Sequence, residues 1–132
     1  MDLDELYENF EFFDSWEEKY QYVIDLGREL EELPEEYKID EWKVQGCQSQ
    51  VWLVPEIKDG KLHFKGDSDA ILVKGIIAVV LLIYNDKSAE EIKNIDVLKI
   101  FAKLGLEENL TPSRRNGMMS MVQKIRYYAE NA

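Results

Sequence analysis

The 132-residue sequence predicts an α+β fold, a small antiparallel β-sheet with helices packed on one face. Three observations predict it. Over the first 30 residues, apolar side chains recur at spacings of three and four, the pattern of amphipathic helices. Between residues 51 and 65 that period gives way to two short runs of strand formers, separated by Lys58-Asp59-Gly60. Beyond residue 69 the chain returns to helix-forming segments with recognisable caps. No repeat, low-complexity stretch or linker interrupts it, so one domain over residues 1–132 is expected.

The elements follow in order. Leu3, Leu6, Tyr7, Phe10 and Phe13 place one apolar stripe on a helix over 2–14. Ser15 and Glu18 stand at capping-box spacing before a second helix, 15–30, which Pro34 ends. Residues 35–42 read as an exposed, charged connection. Val51 to Val54 and Lys61 to Lys65 are the strands, two or three in all, and Asp59-Gly60 suits a turn whose central residues both need positive φ. Asp67 or Ser68 is expected to cap a buried helix over about 69–84. "SAEE" (88–91) is a second capping box. A short helix near 96–104 stops at Gly105. Thr111 and Pro112 are the cap and first residue of a last helix, running to about Ala129.

Charge and hydropathy exclude several classes of function. The formal charge of −11 is concentrated in residues 1–41, which hold 16 Asp/Glu against 3 Lys/Arg. Such a flank repels phosphate and no basic stripe opposes it, so nucleic-acid binding is not expected. The acidic flank reads as a solvated face, with steering toward a basic partner as the alternative. The longest apolar run, 70–84, contains Lys74 and is 15 residues long, against about 20 needed to span a bilayer; it reads as a core helix. The first 18 residues are acidic and lack the features of a secretory signal. One cysteine permits no internal disulfide, and a cytoplasmic location is expected.

That cysteine is the candidate for chemistry. Cys47 sits in "VQGCQSQVWLV" (44–54), among Gln45, Gly46, Gln48, Ser49 and Gln50, at the entry to a strand. A lone thiol is usually a small buried hydrophobe, but glycine and amides are poor core material and loops carry function. Amide donors around such a thiol could stabilise its thiolate. A cysteine hydrolase needs an oriented base. His63, the single histidine, alternates with Leu62 and Phe64 and is expected on the solvent face of its strand. One cysteine and one histidine supply neither a zinc site nor an iron–sulfur cluster, so no metal and no bound cofactor are expected. A thiol without a base can still perform exchange on an already activated sulfur.

"GCQSQVW" (46–52), "GDSDA" followed by "VKG" (66–70, 73–75), "LTPSR" with a glycine three positions on (110–114, 117), and "WEEKY" with "LG" (16–20, 26–27) resemble, each in its place along the chain, the SufE family, including its CsdE branch. The resemblance runs from about residue 10 to 128. It implies the fold of the IscU-type scaffolds and an accessory protein, not an enzyme with its own cofactor. The implied partners are a pyridoxal-phosphate-dependent cysteine desulfurase of the SufS or CsdA type, which donates persulfide sulfur, and an iron–sulfur scaffold that receives it. Carried over by residue, Cys47 is the acceptor thiol, and Gly46, Gln48, Ser49 and Gln50 support its loop. Asp67, Ser68, Asp69, Lys74 and Arg114 are candidate partner contacts or thiolate-stabilising groups. Asp67, Ser68 and Asp69 also read as a helix cap, and Lys74 as a snorkelling core-edge residue. Arg114 occupies a first helical turn, where the dipole disfavours a cation, which argues for a role. A non-catalytic regulatory module that binds a desulfurase or another partner, with Cys47 incidental, is the other reading.

Overall fold

The computed structural model describes residues 1–132. Helices α1 (Leu3–Phe12) and α2 (Trp16–Arg28) lead into two single 3₁₀ turns, Glu35–Tyr37 and Asp40–Trp42. The hairpin β1 (Val51–Lys58) and β2 (Lys61–Ser68) follows, then α3 (Ile71–Tyr84), α4 (Ala89–Lys93), α5 (Val97–Leu104), α6 (Leu106–Asn109) and α7 (Pro112–Glu130). Helices α2, α3 and α7 pack in series on one face of the two-stranded antiparallel sheet. The α+β architecture is the one the sequence predicts.

Local chemistry sets most boundaries. Asp59 and Gly60 have φ of 54° and 77°, the paired positive angles of a tight hairpin turn, and Lys58 pairs with Lys61 across it. The Ser15, Ser88 and Thr111 hydroxyls accept hydrogen bonds from the N–H groups of Glu18, Glu91 and Arg114. Gly105, at φ 73°, ends α5 in the left-handed conformation and at once begins the four-residue α6, an element with no sequence signal of its own.

The long core helix depends on glycine. A Cβ on Gly27 of α2 would lie 2.7 Å from the Gly75 backbone nitrogen of α3, and one on Gly75 would lie 2.3 Å from the Val23 carbonyl oxygen. The two helices therefore touch through their backbones. Beneath them lie Ile76, Ile77, Val80 and Tyr84 of α3, Leu53 and Phe64 of the sheet, and Met118, Met121 and Ile125 of α7, all buried in one cluster.

The connection over 35–42 is exposed and charged, as expected, and carries two 3₁₀ turns. Beside them, Leu33 and Trp42 pack on Trp52 and Val54 as a second small cluster on the outer face of β1. Val51 to Val54 are consequently all buried, and their unbroken apolar run reflects cover on both faces. Neither Asp67 nor Ser68 caps α3. The N-cap is Ala70, with no side-chain hydrogen bond, because strand pairing extends β2 to Ser68, opposite Val51.

Candidate functional site around Cys47

The Cys47 loop is closed at its neck by the hairpin. The Val44 N–H donates to the Val51 carbonyl at 2.8 Å, and Lys43 bridges to Trp52. Residues 45–50 are thereby expelled as a loop at the open end of β1. Gly46 sits at φ 90°, a conformation open to glycine, and a Cβ there would approach Ser120 Oγ of α7 to 2.7 Å. At the far side of the loop, Gln50 and Asp69 are tied reciprocally. The Gln50 N–H donates to Asp69 Oδ1 at 3.0 Å, and the Asp69 N–H donates to the Gln50 carbonyl at 3.4 Å.

Between these ties the Cys47 side chain turns inward, half-buried against the main core. Its Sγ donates to the Gly117 carbonyl of α7 at 3.6 Å. Burial pushes the thiol above its ordinary pKa of 9.0. The expectation that loop amides would stabilise a thiolate is not met. Gln48 and Gln50 are exposed, and no hydrogen bond reaches Sγ from the loop. In this conformation the thiol is protonated and sheltered.

Cys47 opens on a cavity of about 450 Å³. Three separate stretches of sequence wall it: Gln48 and Ser49 of the loop, Ala70 to Val73 with Ile76 at the start of α3, and Thr111, Ser113, Arg114, Gly117 and Met121 of α7. The fold thus draws the loop, Ala70 at the end of "GDSDA" and the "TPSR" turn to one place. Arg114 is the single charged side chain of the lining. It is exposed and pairs with no carboxylate.

Asp67, Ser68 and Lys74 are not on the cavity wall. Asp67 takes the Lys38 ammonium at 3.0 Å, Lys74 at 3.4 Å and the Ser68 N–H at 2.8 Å. Burial alone would raise its pKa, but the Lys38 and Ser68 hydrogen bonds and the Lys74 charge carry it below the ordinary value. The Ser68 hydroxyl accepts from the Ala70 N–H at 3.2 Å. Lys74 is therefore engaged by a carboxylate, and this cluster braces the 35–42 connection, β2 and α3 behind the loop.

His63 is also not the plain surface histidine its alternation suggests. Its Nδ1 lies 2.9 Å from Asp86 and its Nε2 lies 2.5 Å from Glu31. Desolvation lowers its pKa, and the two carboxylates overcome that, for a net rise. Sequence reasoning missed Ser120, Ile71 and Met121 around Cys47, and quoted Ser113 only within "LTPSR"; the first three carry no local signal, because each acts only through the packing of α3 and α7 against the loop. No group of three or more His, Cys, Asp or Glu side chains is placed to hold a metal ion. No helix is long and apolar enough to cross a membrane.

Comparison with known proteins agrees with the motif reading. The family model for SufE, the Fe–S metabolism associated domain, matches residues 4–129. An uncharacterized SufE-like protein of Rhizobium meliloti (strain 1021) is 48% identical, over 97% of this chain and 94% of its own. Another of Rhizobium etli is 48% identical, over 97% of this chain and 89% of its own. The solution structure of a hypothetical protein from Thermus thermophilus superposes with a TM-score of 0.79, over 98% of this chain and 94% of that one, and at 19% identity it shares the fold. With its fold, its cysteine loop and nearly its whole length accounted for, the chain belongs to the SufE family of Fe–S metabolism.

Proposed function

We propose that this protein accepts sulfur from a pyridoxal-phosphate-dependent cysteine desulfurase onto Cys47 and passes it to an iron–sulfur assembly scaffold. The observation that carries the reading is the position of the sole cysteine, on a tied loop over a cavity walled also by the start of α3 and by Thr111, Ser113, Arg114 and Gly117 of the "LTPSR" stretch and its glycine. The pyridoxal phosphate belongs to the partner, and this chain contributes a thiol, a sheltered berth and an exposed cation.

The transfer balances without an external oxidant. The Cys47 thiolate attacks the outer, sulfane sulfur of the desulfurase persulfide. The new S–S bond forms to Cys47 as the donor S–S bond breaks, the donor cysteine leaves as thiolate, and the proton lost from Cys47 is available to it. Sγ has no side-chain base as a partner here; its one hydrogen bond is to the Gly117 carbonyl, and His63 is engaged by Glu31 and Asp86. Activation of Cys47 therefore falls to the partner, which must draw the loop out of its buried position.

Incubation with a desulfurase and cysteine, followed by intact-mass measurement, tests the proposal. The expected result is a gain of one sulfur atom, reversed by thiol reductant and absent in Cys47→Ser. An equal gain in Cys47→Ser would overturn it. Full stimulation of the desulfurase by Cys47→Ser would instead support a purely regulatory protein.

A further inference from the structure

A second concave surface lies at the other end of α3. The Cys47 cavity is walled by the first residues of that helix, up to Ile76, whereas a groove of about 700 Å³ is lined by Ala78 and Leu81 to Ile83 near its end. The whole of α3 is 14 residues, roughly 20 Å at 1.5 Å per residue. The groove floor is apolar and unfinished. Leu3, Leu26, Leu30, Leu82, Ile95 and Ile100 come from separate parts of the chain and pack against the core, yet each stays only partly buried along the groove.

The rim is mainly acidic. Asp2, Glu29, Glu31 and Asp86 stand around the floor, against Lys87 and the α-amino group of Met1. Glu31 and Asp86 are partly engaged by His63, and Asp2 caps α1, which leaves Glu29 exposed and without an ion pair. The Cys47 cavity has the opposite character, with Arg114 its only charge. A second copy of this chain is a poor occupant, because a two-fold contact would set one acidic rim against the same rim. An apolar floor between carboxylates complements a helix with an apolar stripe flanked by Lys or Arg.

We propose that this groove is a docking site for a basic amphipathic helix of a partner protein, separate from the Cys47 cavity and able to be filled while Cys47 is engaged. It holds whatever chemistry Cys47 performs. The test is a methyl-resolved NMR titration with two synthetic helical peptides that share a leucine stripe, one flanked by lysines and one by glutamates. The lysine peptide should shift the Leu26, Leu30, Leu82, Ile95 and Ile100 methyls and leave those of Ile71 and Val73 in place. Glu29→Lys should weaken it roughly fivefold, the effect of one surface charge contact. Leu82→Asn, its fold checked by thermal melting, should abolish the shifts. Equal shifts from the glutamate peptide, unmoved groove methyls, or an unaltered affinity in Glu29→Lys would each overturn the proposal. So would methyl shifts that depend on protein concentration without peptide, which would assign the groove to a second copy.

Discussion

Gly27 of α2 and Gly75 of α3 meet backbone to backbone, with a Gly27 Cβ position 2.7 Å from the Gly75 nitrogen. No side chain can give way at that contact. Gly27→Ala and Gly75→Ala should each lower stability by about 2–3 kcal/mol or more, as overpacking of a rigid site does. Gly60→Ala is the control. Its Cβ would meet nothing, so only the positive φ of 77° costs, about 1 kcal/mol. Urea unfolding of the three variants checks the order; equal losses would remove the helix contact as the cause.

The raised pKa of the half-buried Cys47 sets its reactivity. In the free, folded protein, alkylation should be slow at neutral pH and should climb only as pH passes above the ordinary thiol value of 9.0. Adding the desulfurase should accelerate it. Immediate, complete alkylation of the folded free protein at neutral pH would contradict the sheltered position.

His63 couples stability to pH. Its folded pKa lies above the unfolded value of 6.5, so the charged form is favoured by folding. That contribution is full below pH 6.5 and is lost as pH rises through the higher folded value. Glu31 and Asp86 are largely exposed, which limits the effect to below about 1 kcal/mol. Wild type minus His63→Gln, measured by denaturant midpoint across this range, should decline with rising pH. A flat difference would detach the histidine from its carboxylates.

Arg114 is the one cation at the cavity mouth, while Glu36, Asp40 and Glu41 are exposed on the neighbouring connection. Arg114→Ala should weaken the desulfurase complex roughly five- to tenfold. Reversal of the three acids should change the association rate little at physiological salt, where screening acts over about 8 Å. Association rates at low and high salt check both, and an unaffected Arg114→Ala complex would move the contact elsewhere.

What was legible in the sequence is what neighbours in sequence decide. Asp59-Gly60, Ser88 with Glu91, Gly105 and the Thr111-Pro112 start all act within four residues, and each lies where expected. Asp67 and Ser68 have good capping chemistry yet do not cap, because pairing with Trp52 and Val51 holds them in β2. The partners of His63 lie 32 residues before and 23 after it, beyond any periodicity. Val51 to Val54 did carry a readable sign of two-sided burial in their lack of alternation, whereas the identity of the cover, Leu33 and Trp42, is a matter of tertiary packing. Cys47 was singled out as the candidate from its loop, and its half-buried pose follows from a lone thiol beside an apolar strand and core helix; its carbonyl partner was not legible, because it is Gly117, 70 residues away.

That carbonyl partner makes the resting state self-cancelling. A thiol can donate to the Gly117 oxygen, but a thiolate, or a persulfide anion, has no proton to give and would set its negative charge against the negative end of the carbonyl dipole. The event that arms the sulfur also dissolves the bond that stows it. Latch and trigger are then a single proton, and the amide protection factors over residues 45–50, corrected for the intrinsic pH dependence of exchange, should fall at the pH where Cys47 ionises and stay level in Cys47→Ala. A partner that draws the proton from Cys47 would in the same act loosen the loop that holds it.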